Sequence, residues 1–167
     1  MGALLVIVAL VAAWQTSTHF RAAWDSRPRV AVVPDEHGVA EANGLRASVA
    51  EVALLESVQT WSEQVSPMDG HHYWHIALRL DIEHSEVANC RVYVEDTRGR
   101  LYEIGRHVPT GVEGYTSVPT CQDEDGTSEV GDVQRFMVLI PDDAQPRYIR
   151  VQSQFHLNPD YLELPAG

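Results

Sequence analysis

The sequence predicts one all-β sandwich domain behind a short apolar N-terminal segment. Three observations lead there. Residues 73–83 alternate apolar and polar side chains with a period of two, the mark of a strand with one face in a core. Shorter runs of the same kind follow, separated by Gly, Pro and Asp turns, as in sandwiches built from many short strands. The chain opens with MGALLVIVALVAAW, an apolar stretch without a charged side chain.

That opening run comes first. As a helix, fourteen residues span ~21 Å at ~1.5 Å each, less than a ~30 Å hydrocarbon core. The run is apolar all round, unlike an amphipathic helix packed on a soluble core. A cleaved signal peptide fits its length, with Val11-Ala12-Ala13 as a small-residue cleavage site, although no positive stretch precedes it. A signal anchor fits if the helix continues through Phe20 to Trp24. We read residues 1–24 as a single-pass membrane anchor with the domain outside the cell, the alternative being secretion after cleavage. Residues 25–43 read as a linker broken by Pro28 and Pro34 and ending at Asn43-Gly44, with a short strand possible over 29–33.

The domain proper is expected over 44–165. Residues 48–58, SVAEVALLESV, are ambiguous. Leu45, Val49, Val52 and Glu56 form a helical stripe, yet the segment also fits a strand with a bulge beside Val49, and its strand neighbours favour the strand. In the long strand, Trp74, Ile76, Leu78, Leu80 and Ile82 face the core, while Tyr73, His75, Ala77, Arg79 and Asp81 form a polar face. Residues 90–95 and 101–104 flank Asp96-Thr97-Arg98-Gly99, a tight hairpin in which Gly99 takes the left-handed conformation. Residues 133–140, stopped by Pro141-Asp142-Asp143, and 147–152 are further strands, and 161–164 a last edge strand.

Composition constrains the setting. The 24 acidic residues outnumber 12 basic ones for a net charge of −12, which disfavours nucleic acid and anionic lipid as partners. All 12 basic residues are arginine. Without lysine there is no Schiff base, phosphate-loop lysine or lysine general base. Cys90 and Cys121, 31 positions apart and outside any CxxC spacing, read as a disulfide in an oxidising compartment.

The order of these segments resembles the telokin-like, immunoglobulin-fold domains of exported or membrane-anchored actinobacterial proteins. The matching stretches are GLRASVAEV from Gly44, the long strand 73–83, VEDTRGRLY from Val94, FMVLIPDDA from Phe136, and YLELP from Tyr161. The resemblance covers roughly residues 44–165. It implies an immunoglobulin-like sandwich outside the cell and brings no catalytic residues.

Candidate chemistry is sparse. His75 stands on the polar face at the start of the long strand, with His71 and His72 in the loop that opens at Pro67-Met68-Asp69-Gly70 and His84 ~30 Å beyond His75. A metal site needs imidazoles converging on one point; His71 with His75, joined by Asp69, is the conceivable pair, against a polar loop and a solvated strand face. The acidic stretch through Asp123, Glu124, Asp125, Glu129 and Asp132 lacks the spacing of a calcium loop, so Asp123 and Asp125 are weak ligands at best. No Gly-x-Ser-x-Gly elbow or glycine-rich phosphate loop is present. The loop aromatics Trp61 and Tyr115 mark a possible contact surface. The expectation is a non-enzymatic, membrane-tethered extracytoplasmic module without cofactor, binding a protein or a cell-envelope component. The alternative is a metal-binding accessory protein using the histidines or the 123–132 loop.

Overall fold

A computed structural model describes residues 29–82, 90–121, 133–153 and 160–167, and among them only strands, turns and loops occur. The eleven strands are β1 (Val30–Val32), β2 (Ala40–Ala42), β3 (Leu45–Leu55), β4 (Val58–Gln59), β5 (Gln64–Val65), β6 (His71–Ile82), β7 (Cys90–Asp96), β8 (Leu101–Glu103), β9 (Val133–Pro141), β10 (Pro146–Ser153) and β11 (Asp160–Pro165). A five-stranded sheet runs β1-β11-β10-β7-β8 and a four-stranded sheet β2-β3-β6-β9, with β4 and β5 as a separate hairpin. Pairing is antiparallel except between β1 and β11. The all-β sandwich is therefore present. The apolar segment 1–24, His84, Asp123 and Asp125 lie outside the described residues, and no described helix is long and apolar enough to cross a membrane.

The core lies between the two sheets. Leu45, Ala47, Ile76, Leu78, Phe136, Val138 and Ile140 face Val92, Val94, Ile149, Val151, Leu162 and Leu164, all buried. Each set follows the two-residue period of its strand. Cys90 and Cys121 are bonded and buried in this core, with their Cα atoms 5.7 Å apart.

Three expectations need correction. The linker expected over 25–43 holds, besides the short strand read over 29–33, which is β1 and pairs with β11, a second strand, β2, which makes a hairpin with β3. Its Asn43-Gly44 turn has φ 55 and 76, the positive pair that a two-residue hairpin requires. The strand at the C-terminus is not at the edge, because β1 lies beyond it. His71 and His72 belong to β6 rather than to the loop before it.

The ambiguous segment is strand β3, with a bulge between Val49 and Glu51. Val49 pairs with Leu78 and Glu51 with Ala77, leaving Ala50 as the extra residue. Were Ala50 kept in the ladder, alternation would turn Glu51 inward and Val52 outward. With Ala50 looped out, Val52 lies opposite Ile76 and packs on the core.

Candidate functional site

The polar face expected on β6 is covered at its N-terminal half. Tyr73, His75 and Ala77 are buried, because the β4–β5 hairpin and the loop 105–117 lie across the outer side of the four-stranded sheet. Val58, Tyr73 and Met137 form a second small core there, joined by Leu55, Val65, Val108, Val112, Tyr115 and Leu139. Backbone hydrogen bonds hold the loop to the free edge of β9: Gly105 N–H donates to Met137 O and Thr116 N–H to Arg135 O. Gly105 has φ +72, and a Cβ there would lie 2.4 Å from the Ser117 carbonyl oxygen. Glycine is required at that position.

His75 belongs to this layer, not to a solvated face. Its ring meets Tyr115 edge-on at 5.4 Å, Nε2 lies 3.6 Å from Glu51, and Nδ1 is buried without a hydrogen-bond partner among the described residues. Burial pushes the Tyr115 hydroxyl above its ordinary pKa. His71 and His75 share one strand face ~13 Å apart, too far for one ion. The His71 ring contacts its own turn at Asp69 O, and His72 lies 3.2 Å from Asp142 on the opposite face. Among the described residues no three His, Cys, Asp or Glu side chains gather as a metal site.

Where hairpin and loop meet, they leave an open groove of about 590 Å³ lined by Leu55, Ser57, Val58, Gln59, Thr60, Trp61, Val112, Glu113 and Tyr115. A smaller hollow of about 120 Å³ shares Val112 and Tyr115 with the groove. The turn carrying Trp61 is fixed from within. Thr60 Oγ1 accepts the Glu63 N–H at 3.1 Å and donates to the Glu63 carbonyl at 2.8 Å, and a β-bridge joins Thr60 to Val112. The indole is 88% exposed. Gly111 stands beside it: a Cβ there would come within 3.4 Å of Trp61 Cδ2. Gln59 donates its amide N–H to the Thr60 carbonyl at 2.8 Å.

Elsewhere the Asp96 cluster satisfies its own polar groups. Asp96 is fully buried; its Oδ1 accepts the Arg98 and Arg100 N–H groups, and its Oδ2 accepts Arg100 Nε at 2.6 Å and the Tyr102 hydroxyl at 3.2 Å. Arg98 and Arg100 both reach Asp143 in the β9–β10 turn, so this cluster locks two turns together. On the outer face of the five-stranded sheet, Arg150 pairs with Glu95 and lies 4.5 Å over the Tyr161 ring.

No family model matches the chain, and no curated relative matches it. Among solved structures, a conserved hypothetical protein from Bacillus anthracis has TM-score 0.47 and 17% identity, covering 72% of this chain and 88% of its own. An uncharacterized beta-sandwich protein from Clostridium difficile 630 has TM-score 0.39 and 13% identity, covering 82% and 95%. The two-sheet fold follows from the strand pairing within this chain.

Proposed function

We propose that the chain is an extracytoplasmic immunoglobulin-like module, tethered through residues 1–24, that binds a cell-envelope component or protein and performs no catalysis. The observation that carries this reading is the groove beside Trp61: a large ring held out to solvent by a braced turn, next to polar groups. Concave sites with apolar walls and a few polar groups are the usual form of a ligand pocket. Export is supported by the apolar opening run and by the buried Cys90–Cys121 bond, which suits an oxidising compartment. Two facing, mostly antiparallel sheets support the immunoglobulin-like, telokin-like kinship suggested by residues 44–165.

The test is photocrosslinking in intact cells with a photoreactive residue at Gln59, on the groove, and in a second variant at Thr97, in the remote β7–β8 turn. An adduct from position 59 alone supports the reading. Equal labelling from both positions, or none from 59, refutes it. Deleting residues 1–24 should move the protein from the membrane fraction; its retention there would refute the tether.

A further inference from the structure

The ligand class follows from which chemistries the groove can and cannot satisfy, on the reading that the groove is the binding site. Among the described residues no arginine lines it and Glu113 is its one charged side chain, in a chain of net charge −12. Phosphate, carboxylate and sulfate groups would meet repulsion without a counter-charge. A caged ammonium needs several rings around one point, but Tyr115 is committed edge-on to His75, with an interplanar angle of 83°. An added peptide strand needs free backbone edges, and the Thr60–Val112 bridge already joins the two segments there. What remains is a neutral ligand with flat C–H faces and peripheral hydroxyls.

We infer that the groove binds a neutral glycan built of pyranose rings, one ring lying on the Trp61 indole. The C–H face of a pyranose covers an indole and removes its apolar surface from water. Its hydroxyls then meet the Gln59 side-chain carbonyl, the Glu113 carboxylate and the Ser57 hydroxyl, all at the groove. Ser57 Oγ already accepts a hydrogen bond from Gln64 Nε2 and is thereby oriented, leaving its own proton to donate. The Thr60 hydrogen bonds hold the turn before ligand arrives, so little ordering entropy is lost on binding. The groove is open rather than enclosed, so a polymer can lie along it.

The experiment follows the Trp61 indole N–H resonance by NMR in the full chain. The probes are hexamers of β-1,4-glucose, α-1,4-glucose and β-1,4-N-acetylglucosamine, with hexagalacturonate as the anionic counterpart. At least one neutral hexamer shifts the resonance and hexagalacturonate does not. Trp61→Ala weakens that binding about tenfold or more, and Trp61→Phe by less, with unchanged thermal midpoints because the ring is exposed. Binding by Trp61→Ala is followed through backbone amide shifts. Three results overturn the assignment: no response to any neutral hexamer, equal affinity in Trp61→Ala, or preference for hexagalacturonate. Capture of a protein rather than a glycan from position 59 also overturns it, while leaving the binding-module reading intact.

Discussion

Replacing Asp96 by Asn should remove much of the acid-sensitive stability of the fold. Burial alone would raise this carboxyl, but the hydrogen bonds from Arg100 N–H, its guanidinium and Arg98 N–H outweigh burial. Together with the Arg100 charge they bring the pKa from 3.8 down to about 2. A lowered folded-state pKa means stability that is present above pH 3.8 and lost as pH falls towards 2. The difference corresponds to about 2 kcal/mol at neutral pH, falling to about 1 kcal/mol near pH 3. Asparagine keeps the oxygen that accepts the two backbone N–H groups. It places an NH₂ where Arg100 Nε donates at 2.6 Å, two donors facing each other. Urea denaturation of wild type and Asp96→Asn at pH 7, 5, 3 and 2 measures this. The gap should be about 2 kcal/mol at pH 7 and shrink steadily below pH 4. A gap that is constant with pH, or absent at pH 7, would refute the charge-based account of this turn.

Reducing the Cys90–Cys121 bond, which spans 31 positions, should destabilise the fold by roughly 3–4 kcal/mol, read as a lower urea midpoint in dithiothreitol. Gly105→Ala should cost about 2 kcal/mol or more, because the new Cβ meets a backbone oxygen at 2.4 Å in a left-handed conformation; an unchanged melting temperature would contradict the loop geometry. His75→Phe should lie within about 1 kcal/mol of wild type, since it removes a buried Nδ1 that has no partner; a loss above about 3 kcal/mol would show that His75 makes a bond the structure does not contain. Deleting Ala50 should leave a folded protein, because Val49, Glu51 and Val52 then alternate in, out and in without a bulge; collapse of the heteronuclear NMR spectrum would refute the register.

The parts of the fold legible in the sequence are those with enough residues to show a period. Ile76, Leu78 and Leu80 alternate over a long strand, and Gly99 marks its hairpin with φ +78. β1 and β2 have three residues each, too few for periodicity to register. Asn43-Gly44 carries the β2–β3 hairpin signal that periodicity could not supply. The cover over Tyr73 and His75 is non-local, since it comes from the β4–β5 hairpin and the loop 105–117. One trace of it exists in β9, where Phe136, Met137, Val138, Leu139 and Ile140 run without a polar break. A strand with one wet face has no use for Met137 and Leu139, so the unbroken run reports burial on both faces. The groove is less legible still. Trp61 stands out as a loop aromatic, but the Gly111 beside it and the Glu113 across the groove are ordinary loop residues until the Thr60–Val112 bridge brings them close.

The bulge in β3 explains why that segment reads two ways. Val49 and Val52 both pack on the core, and a spacing of three is one that a straight strand does not allow and a helix does. A strand reaches the same result by looping out Ala50, which is exposed. The apparent helical stripe is therefore the imprint of an extra residue rather than of helical geometry. The same bulge shapes the outer face. With Ala50 looped out, Glu51 turns outward, its carboxylate 3.6 Å from His75 Nε2, and Leu55 falls opposite Tyr73 beneath the β4–β5 hairpin. Leu55 also lines the groove at Trp61. Looping Ala50 out of the ladder thus holds Val52 in the core and leaves an apolar side chain under the candidate binding surface.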